Sequence, residues 1–318
     1  MLMVGYLMSN NFGYACINMQ LAYPDKYGNS AKSRIFSARS MIKSTFLKKG
    51  INYASELALK NCEDLFEVIK WNKKNNFNFF RITSDLFPWC SEYDLTDLPN
   101  YYEIEKVLSK IGIFVKQNSM RITSHPGPFN VLTSPNENVV KNCVHDLSIQ
   151  GQTFDLMELS ATPFNKINIH IGGAYGDKKA AMKRFCENFK LLPCYVKKRL
   201  TVENDDRASL YSVKDLYEGV FKVIGIPIVF DYHHHSFCNG GQSEEEALNL
   251  AVSTWGSVRP VVHYSESRSI EKNDDSIKPH AHSDYVYNLI NTYNHNLDIM
   301  IEAKHKELAV KKYLEIHS

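Results

Sequence analysis

Residues 226–241 read IPIVFDYHHHSFCNGG. An apolar, largely β-branched run passes into Asp231, a tyrosine and three adjacent histidines, then a glycine pair. A short apolar run closed by turn-forming groups reads as a buried strand, with its polar residues at the C-terminal end. The same construction recurs as LMVGYLM (2–8), FNFFRITS (77–84), SMRITSH (119–125), KINIHIG (166–172), RLTVEN (199–204), RPVVHYSE (259–266) and LDIMIEAK (297–304). With IPIVFDY (226–232) these make eight strands. Between them lie segments of helical period, such as 56–74 and 243–255, the latter opened by a Ser243–Glu246 capping box.

Near-continuous apolar strands alternating with helices predict a parallel sheet covered on its outer face. Eight such units in 318 residues predict a closed (β/α)8 TIM barrel forming one domain over 1–318. The competing open, doubly wound sheet calls for a glycine-rich phosphate loop after its first strand, and VGYLMSNNFGYA contains no G-x-G-x-x-G. The long first gap predicts an extra loop and helix, over residues 11–55, above one barrel mouth.

Composition bounds the function less tightly. Hydrophobic residues at 44%, charged residues at 23% and a net charge of +2 describe a globular enzyme without a strong bulk electrostatic partner. The seven cysteines are scattered without a C-x-x-C pair, as expected in a reducing compartment. No apolar run reaches membrane-spanning length, and the N-terminus lacks a basic start and cleavage site. A soluble, intracellular monomer, in the cytoplasm or with the chromosome in nucleoid or nucleus, is the expectation.

The strand ends carry the chemistry. His125, His170, Glu203, Asp231, His263 and Glu302 close six successive strands. In a parallel barrel all C-terminal strand ends converge on one mouth. Three carboxylates gathered there would repel and lose hydration unless cations compensated them. A single histidine in such a place is most simply a hydrogen-bonded rim residue; six strand ends in succession predict a metal cluster instead. Mixed imidazole and carboxylate ligands suit Mn²⁺, Zn²⁺ or Fe²⁺, and clustered divalent ions are typical equipment for phosphodiester hydrolysis.

These strings resemble the UV-damage endonuclease family, whose barrel is related to that of endonuclease IV. The resemblance is carried by NIHIGGAYG (168–176), LTVENDDR (200–207), VFDYHHH (229–235), VVHYSE (261–266), AHSDYV (281–286) and MIEAKHKE (300–307), with FRITSDLFPW (80–89) and SHPGPFNVL (124–132). It implies a DNA repair enzyme that cuts damaged double-stranded DNA on the 5′ side of UV photoproducts, using two or three divalent ions, Mn²⁺ first, with Zn²⁺ or Mg²⁺ as alternatives. It implies one ion on His125, His170 and Glu203, with Glu203 bridging to a second on Asp231, His263 and Glu302. A third would sit with His234 and His282, helped by His280, and Lys304 would stand near the scissile phosphate. Simple strand alternation would put His233 and His235 on the face of Asp231. The family spacing selects His234, which requires a turn beginning at Tyr232.

Tyr6 and Asn10 match family positions lining the DNA-binding mouth, and Trp89 and Phe129 are candidates for stacking on an unpaired base. Tyr6 would serve equally as a packing aromatic at the barrel rim, and for Trp89 and Phe129 packing is the simpler reading. Most basic pairs, including Lys197, Lys198 and Arg199, read as solvated helix ends; Lys178, which follows GGAYG, is the better phosphate contact. Three departures from the family pattern stand out. Pro128 replaces a common glutamine beside Phe129, Glu92 takes the place of a histidine, and Val261 that of a lysine carried as a carbamate in part of the family. An abasic-site endonuclease is the alternative within hydrolases; a metal-dependent sugar isomerase or epimerase is the alternative on the same kind of barrel.

Overall fold

The computed structural model describes residues 10–27 and 34–317. Eight strands close into a parallel barrel: β1 (Asn11–Ala15), β2 (Phe79–Ile82), β3 (Arg121–Ser124), β4 (Ile167–Ile169), β5 (Leu200–Glu203), β6 (Ile228–Asp231), β7 (Val261–Tyr264) and β8 (Asp298–Ile301). Each pairs with the next, and β8 returns to β1 through Asn11↔Asp298 and Tyr14↔Ile301. Helices cover the outside, among them Lys43–Lys74, Tyr101–Gln117, Glu137–Leu156, Lys178–Phe189, Glu244–Val252 and Lys306–His317. The Ser243–Glu246 capping box forms as the sequence implies. None of the described helices is long and apolar enough to cross a membrane.

Seven strands fall within the runs expected of them. The first does not. The expected strand 2–8 and Tyr6 lie outside the described residues, and β1 occupies Asn11–Ala15, inside the segment read as a loop. Gly13 explains the fit. A Cβ there would lie 2.6 Å from the Phe79 carbonyl oxygen, so only glycine lets β1 approach β2 this closely.

Inside the barrel, Ala15, Phe79, Val229, Val261, Met300 and Trp255 pack together as a floor. Below them Arg121 is buried and donates from Nη1 to Asp298 Oδ2 at 2.8 Å, while Arg259 Nε lies 2.8 Å from Asp298 Oδ1. Asn10 belongs to this end too: its Oδ1 accepts from the Leu297 N–H at 2.9 Å, one residue before β8. It therefore sits opposite the mouth, which corrects the expectation that it lines the DNA-binding face. The spacing Gly5-Tyr6…Asn10 recurs as Gly13-Tyr14…Asn18, and the second copy is the one on β1. Tyr14 and Asn18 are buried and joined by a 2.8 Å hydrogen bond. Arg199 is a second correction. It is fully buried, donating to the Leu159 carbonyl at 2.6 Å and pairing with Asp155 at 2.7 Å, because it opens β5 rather than ending a helix in solvent.

Candidate metal centre

Three overlapping groups of side chains converge at the C-terminal mouth: His125, His170 and Glu203; Glu203, Asp231 and His234; and Asp231, His263 and Glu302. Within each, one donor atom per residue lies within 4.8 Å of the others. Strand geometry delivers all but one of these residues directly. His234 arrives through a one-turn helix, Tyr232–His235, for which Asp231 is the N-cap, its Oδ1 accepting from the His234 N–H at 2.8 Å. That turn rotates His234 onto the cluster, with Nδ1 3.3 Å from Glu203 Oε1. His233 and His235 are buried away from it, against Phe237 and Phe230 respectively.

Glu203 is the hub. His125 Nε2 and His263 Nδ1 lie 3.2 and 3.0 Å from its Oε2, and Asn168 Nδ2 donates to the same oxygen. Thr201 Oγ1 in turn donates to Asn168 Oδ1 at 2.8 Å, fixing the amide. Burial would raise the Glu203 carboxyl, but His263, His170 and His125 outweigh it and hold the group well below the usual carboxylate range. Burial likewise opposes Glu302, where Arg81 and His263 prevail and keep the carboxyl low. Asp231 has no such guanidinium, and burial pushes it up to about 6 against the pull of His234.

The donor set fits divalent cations. Asp231 Oδ2, His170 Nδ1 and His263 Nδ1 are buried without a hydrogen-bond partner. Three histidines use Nδ1 against backbone carbonyls: His125 to Pro126 at 3.1 Å, His234 to Asn204 at 2.9 Å and His282 to Glu302 at 2.7 Å. A carbonyl only accepts, so Nδ1 carries a proton, which leaves Nε2 as the ring atom that could ligate a metal. His263, pushed by burial down to about 4, is neutral at pH 7, the form a ligand needs.

The remaining expectations divide. His282 stands beside the cluster, its ring 6.5 Å from that of His234, but belongs to none of the three groups. His280 falls further away, partly exposed, packed on Phe237 and 3.6 Å from Asp206. His234 is thus grouped with Glu203 and Asp231 rather than with His282 and His280, because the helical turn aims it inward. Lys304 is exposed, whereas Lys306 is half-buried, its amine pushed down by burial. Lys178 is tied to Asp215 at 3.3 Å and to the Ala208 carbonyl at 3.4 Å. Glu92 is exposed and joins no group. Trp89 stacks on Phe46 and donates from Nε1 to the Met41 carbonyl at 2.7 Å.

A cleft of about 590 Å³ opens over the cluster, with Arg81, His125, His170, His234 and Glu302 at its base. One wall follows β4, where Gly172 takes φ 110° and a Cβ would lie 2.3 Å from Val131. A second cleft of about 580 Å³, with Trp89 and Asp146 among its walls, lies alongside. Pro128 borders both, and Phe129 beside it is 86% exposed. Arg81, which ion-pairs with Glu302, and Asn168 were not singled out by the sequence. The only signal for either was its place on a strand that ends at the mouth.

The model of the family described as "UV-endonuclease UvdE" matches residues 10–317. The chain belongs to this family. It is 32% identical over 94% of its length to the UV DNA damage endonuclease of Clostridium perfringens, covering 69% of that protein. It is 33% identical to the UV-damage endonuclease of Schizosaccharomyces pombe, again over 94% of this chain but only 49% of that longer protein. Among solved structures, the crystal structure of SacUVDE superposes with a TM-score of 0.79 at 31% identity, covering 96% of this chain and 97% of that one. A D-psicose 3-epimerase from Clostridium cellulolyticum H10 matches at 14% identity and TM-score 0.52, a likeness of barrel fold alone. Membership in the UvdE family places the protein among DNA repair nucleases rather than sugar isomerases.

Proposed function

We propose that the chain is a metal-dependent endonuclease that hydrolyses the phosphodiester on the 5′ side of UV photoproducts in double-stranded DNA. The observation that carries this reading is the convergence of five imidazoles and carboxylates on Glu203 and Asp231 at the barrel mouth, in a chain of the UvdE family. Glu203 and Asp231, each shared by two groups, would bridge two or three divalent ions, and Mn²⁺ suits the mixed nitrogen and oxygen donors. Such ions, when bound, acidify water and offset charge on a phosphate in reaction.

The chain's own residues would do the rest. Arg81 adds fixed positive charge beside Glu302, where a phosphate entering the cleft would meet it. Asn168 and Thr201 hold the Glu203 carboxylate in one orientation. Pro128, between the two clefts, and Phe129, on the wall of the second, would press against a distorted base step while the backbone lies over the cluster. Trp89 is committed to packing by its indole hydrogen bond, so it would form a wall of the second cleft rather than a free stacking platform.

The test is nicking of end-labelled duplexes with Mn²⁺, wild type beside Glu203→Gln. One duplex carries a cyclobutane dimer, one an abasic site, and one is undamaged. A 5′-side nick at the dimer that vanishes in the variant supports the proposal. Cleavage at the abasic site alone would replace it with an abasic-site endonuclease. No metal-dependent nick on any duplex would overturn it.

A further inference from the structure

After β5 delivers Glu203 to the cluster, the chain turns through residues 204–211 at the edge of the cleft. Asn204 is fixed first: its Oδ1 accepts from the Asp231 N–H at 2.8 Å, and its Nδ2 donates to the Asp231 carbonyl at 3.0 Å. The turn is closed at its base. There the Asp205 N–H donates to the Tyr211 carbonyl at 2.9 Å, and the Tyr211 N–H to Asp205 Oδ2 at 3.4 Å. Tyr211 is buried, and its hydroxyl donates to the Gly173 carbonyl at 3.2 Å. Within the turn the Leu210 N–H donates to the Arg207 carbonyl at 2.8 Å, and from outside Lys178 Nζ reaches the Ala208 carbonyl at 3.4 Å.

A loop held at this many points presents its tip in one place, and the tip carries Arg207. The side chain is 73% exposed, yet it lines the cleft over the cluster. Among the described residues lining that cleft, Arg81 and Arg207 are the arginines and none is a lysine. Arg81 is committed to Glu302, and Lys178 is spent on the loop itself. Asp206 Oδ1 stands 3.9 Å from Arg207 Nε in solvent, where such a pair contributes little, and its other oxygen faces His280 at 3.6 Å. The loop also starts at the cluster. Asp205 Oδ1 lies 3.2 Å from His170 Nδ1, and two residues span at most about 7 Å of chain. Asp205, Asp206 and Glu302 give the cleft negative charge that opposes an incoming phosphate. A guanidinium at the rim offsets it, and its planar fork of N–H donors matches phosphate oxygens.

We propose that Arg207 is a DNA-contacting residue, which takes a non-bridging oxygen of a backbone phosphate flanking the one over the cluster. It would set the position of the strand without reading its sequence. This rests on reading the chain as a DNA endonuclease.

The experiment is nicking of a dimer-containing duplex with Mn²⁺ at several KCl concentrations, with undamaged duplex as competitor. It compares wild type, Arg207→Gln, Arg207→Lys and Lys183→Gln, the last removing an equally exposed charge from the outer helix Lys178–Phe189. One phosphate contact contributes roughly tenfold in affinity at 0.1 M salt through counterion release. Arg207→Gln should therefore raise KM and the inhibition constant of the undamaged competitor alike, by roughly tenfold at 0.1 M KCl. Its kcat should change little, and the slope of log affinity against log salt should be shallower by about 0.9. Arg207→Lys keeps the charge and should keep the wild-type slope, and Lys183→Gln should match wild type throughout. A wild-type KM and slope in Arg207→Gln overturn the proposal, as does a lysine variant that loses the slope. A loss confined to the dimer duplex also overturns it, because the residue would then act on the lesion. An equal loss in Lys183→Gln does so too, by making the effect one of net charge. Wild type that nicks no duplex would instead sink the endonuclease reading on which the proposal stands.

Discussion

Arg81 on β2 and Glu302 at the end of β8 form an ion pair across the strand between them, with both side chains nearly buried. Glu302 thus faces a guanidinium on one side and His263 and the metal group on the other. Removing Arg81 leaves a buried carboxylate without its cation, a change that costs roughly 3–5 kcal/mol when nothing replaces it. A bound divalent ion does replace it. Arg81→Met is therefore expected to lower the melting temperature strongly in chelator and much less with saturating Mn²⁺. Thermal melts under the two conditions check this, and equal losses in both would refute it.

His170 gives the cluster a pH signature. Burial opposes its imidazolium, but Glu203 and Asp205 prevail and push it up to about 10 in the metal-free protein. A raised folded pKa stabilises the apo form fully below the free-histidine value of about 6.5, and that contribution is lost as pH rises towards 10. Metal must displace this proton, so Mn²⁺ affinity should rise across the same window. Calorimetry at pH 7 in two buffers of different ionisation enthalpy should show proton release on binding. Buffer-independent heats would mean that His170 is not displaced.

Much of the site is legible in sequence because a closed parallel barrel sends every C-terminal strand end to one place. His125, His170, Glu203, Asp231, His263 and Glu302 each follow an apolar run, and that rule alone gathers them. His234 is legible for a different reason: an aspartate at a strand end is a ready N-cap, and the turn it starts shifts the side-chain period from two to helical. What escaped was whatever depends on the interior of the barrel. Arg81 and Asn168 lie within strands, where alternation cannot say which face meets the cluster. The first strand escaped because the apolar run 2–8 outscores Asn11–Ala15, whose Gly13 weakens a strand pattern while permitting the close approach to Phe79.

At the far end of the barrel, Asp298 accepts from Arg121 and Asn11 at 2.8 Å each and lies 2.8 Å from Arg259 Nε. Asp298→Asn strips the charge from the buried carboxylate at the centre of this network, and a loss of about 3–5 kcal/mol in unfolding free energy is expected. The floor of Phe79, Val261 and Met300 separates this network from the cluster. Mn²⁺ stoichiometry at a temperature where the variant is folded should therefore match wild type. Denaturant melts and metal counting test the two halves separately, and a drop in bound metal would show that the ends of the barrel are coupled.

Phe129 offers the opposite dissociation. It is 86% exposed, so Phe129→Ala should change stability by no more than about 0.5 kcal/mol. It nevertheless follows Pro128, which borders both clefts, and itself lines the cleft beside the cluster. An aromatic this exposed is available to stack, and base–aromatic stacking contributes about 1–3 kcal/mol. Nicking of a dimer-containing duplex should thus fall by about 5–150-fold in kcat/KM, at 1.4 kcal/mol per factor of ten, with Mn²⁺ affinity unchanged. Parallel assays on damaged and undamaged duplexes would show whether the ring contributes to discrimination. Wild-type kcat/KM on the dimer would remove Phe129 from the DNA-binding surface and leave Pro128 alone on the ridge.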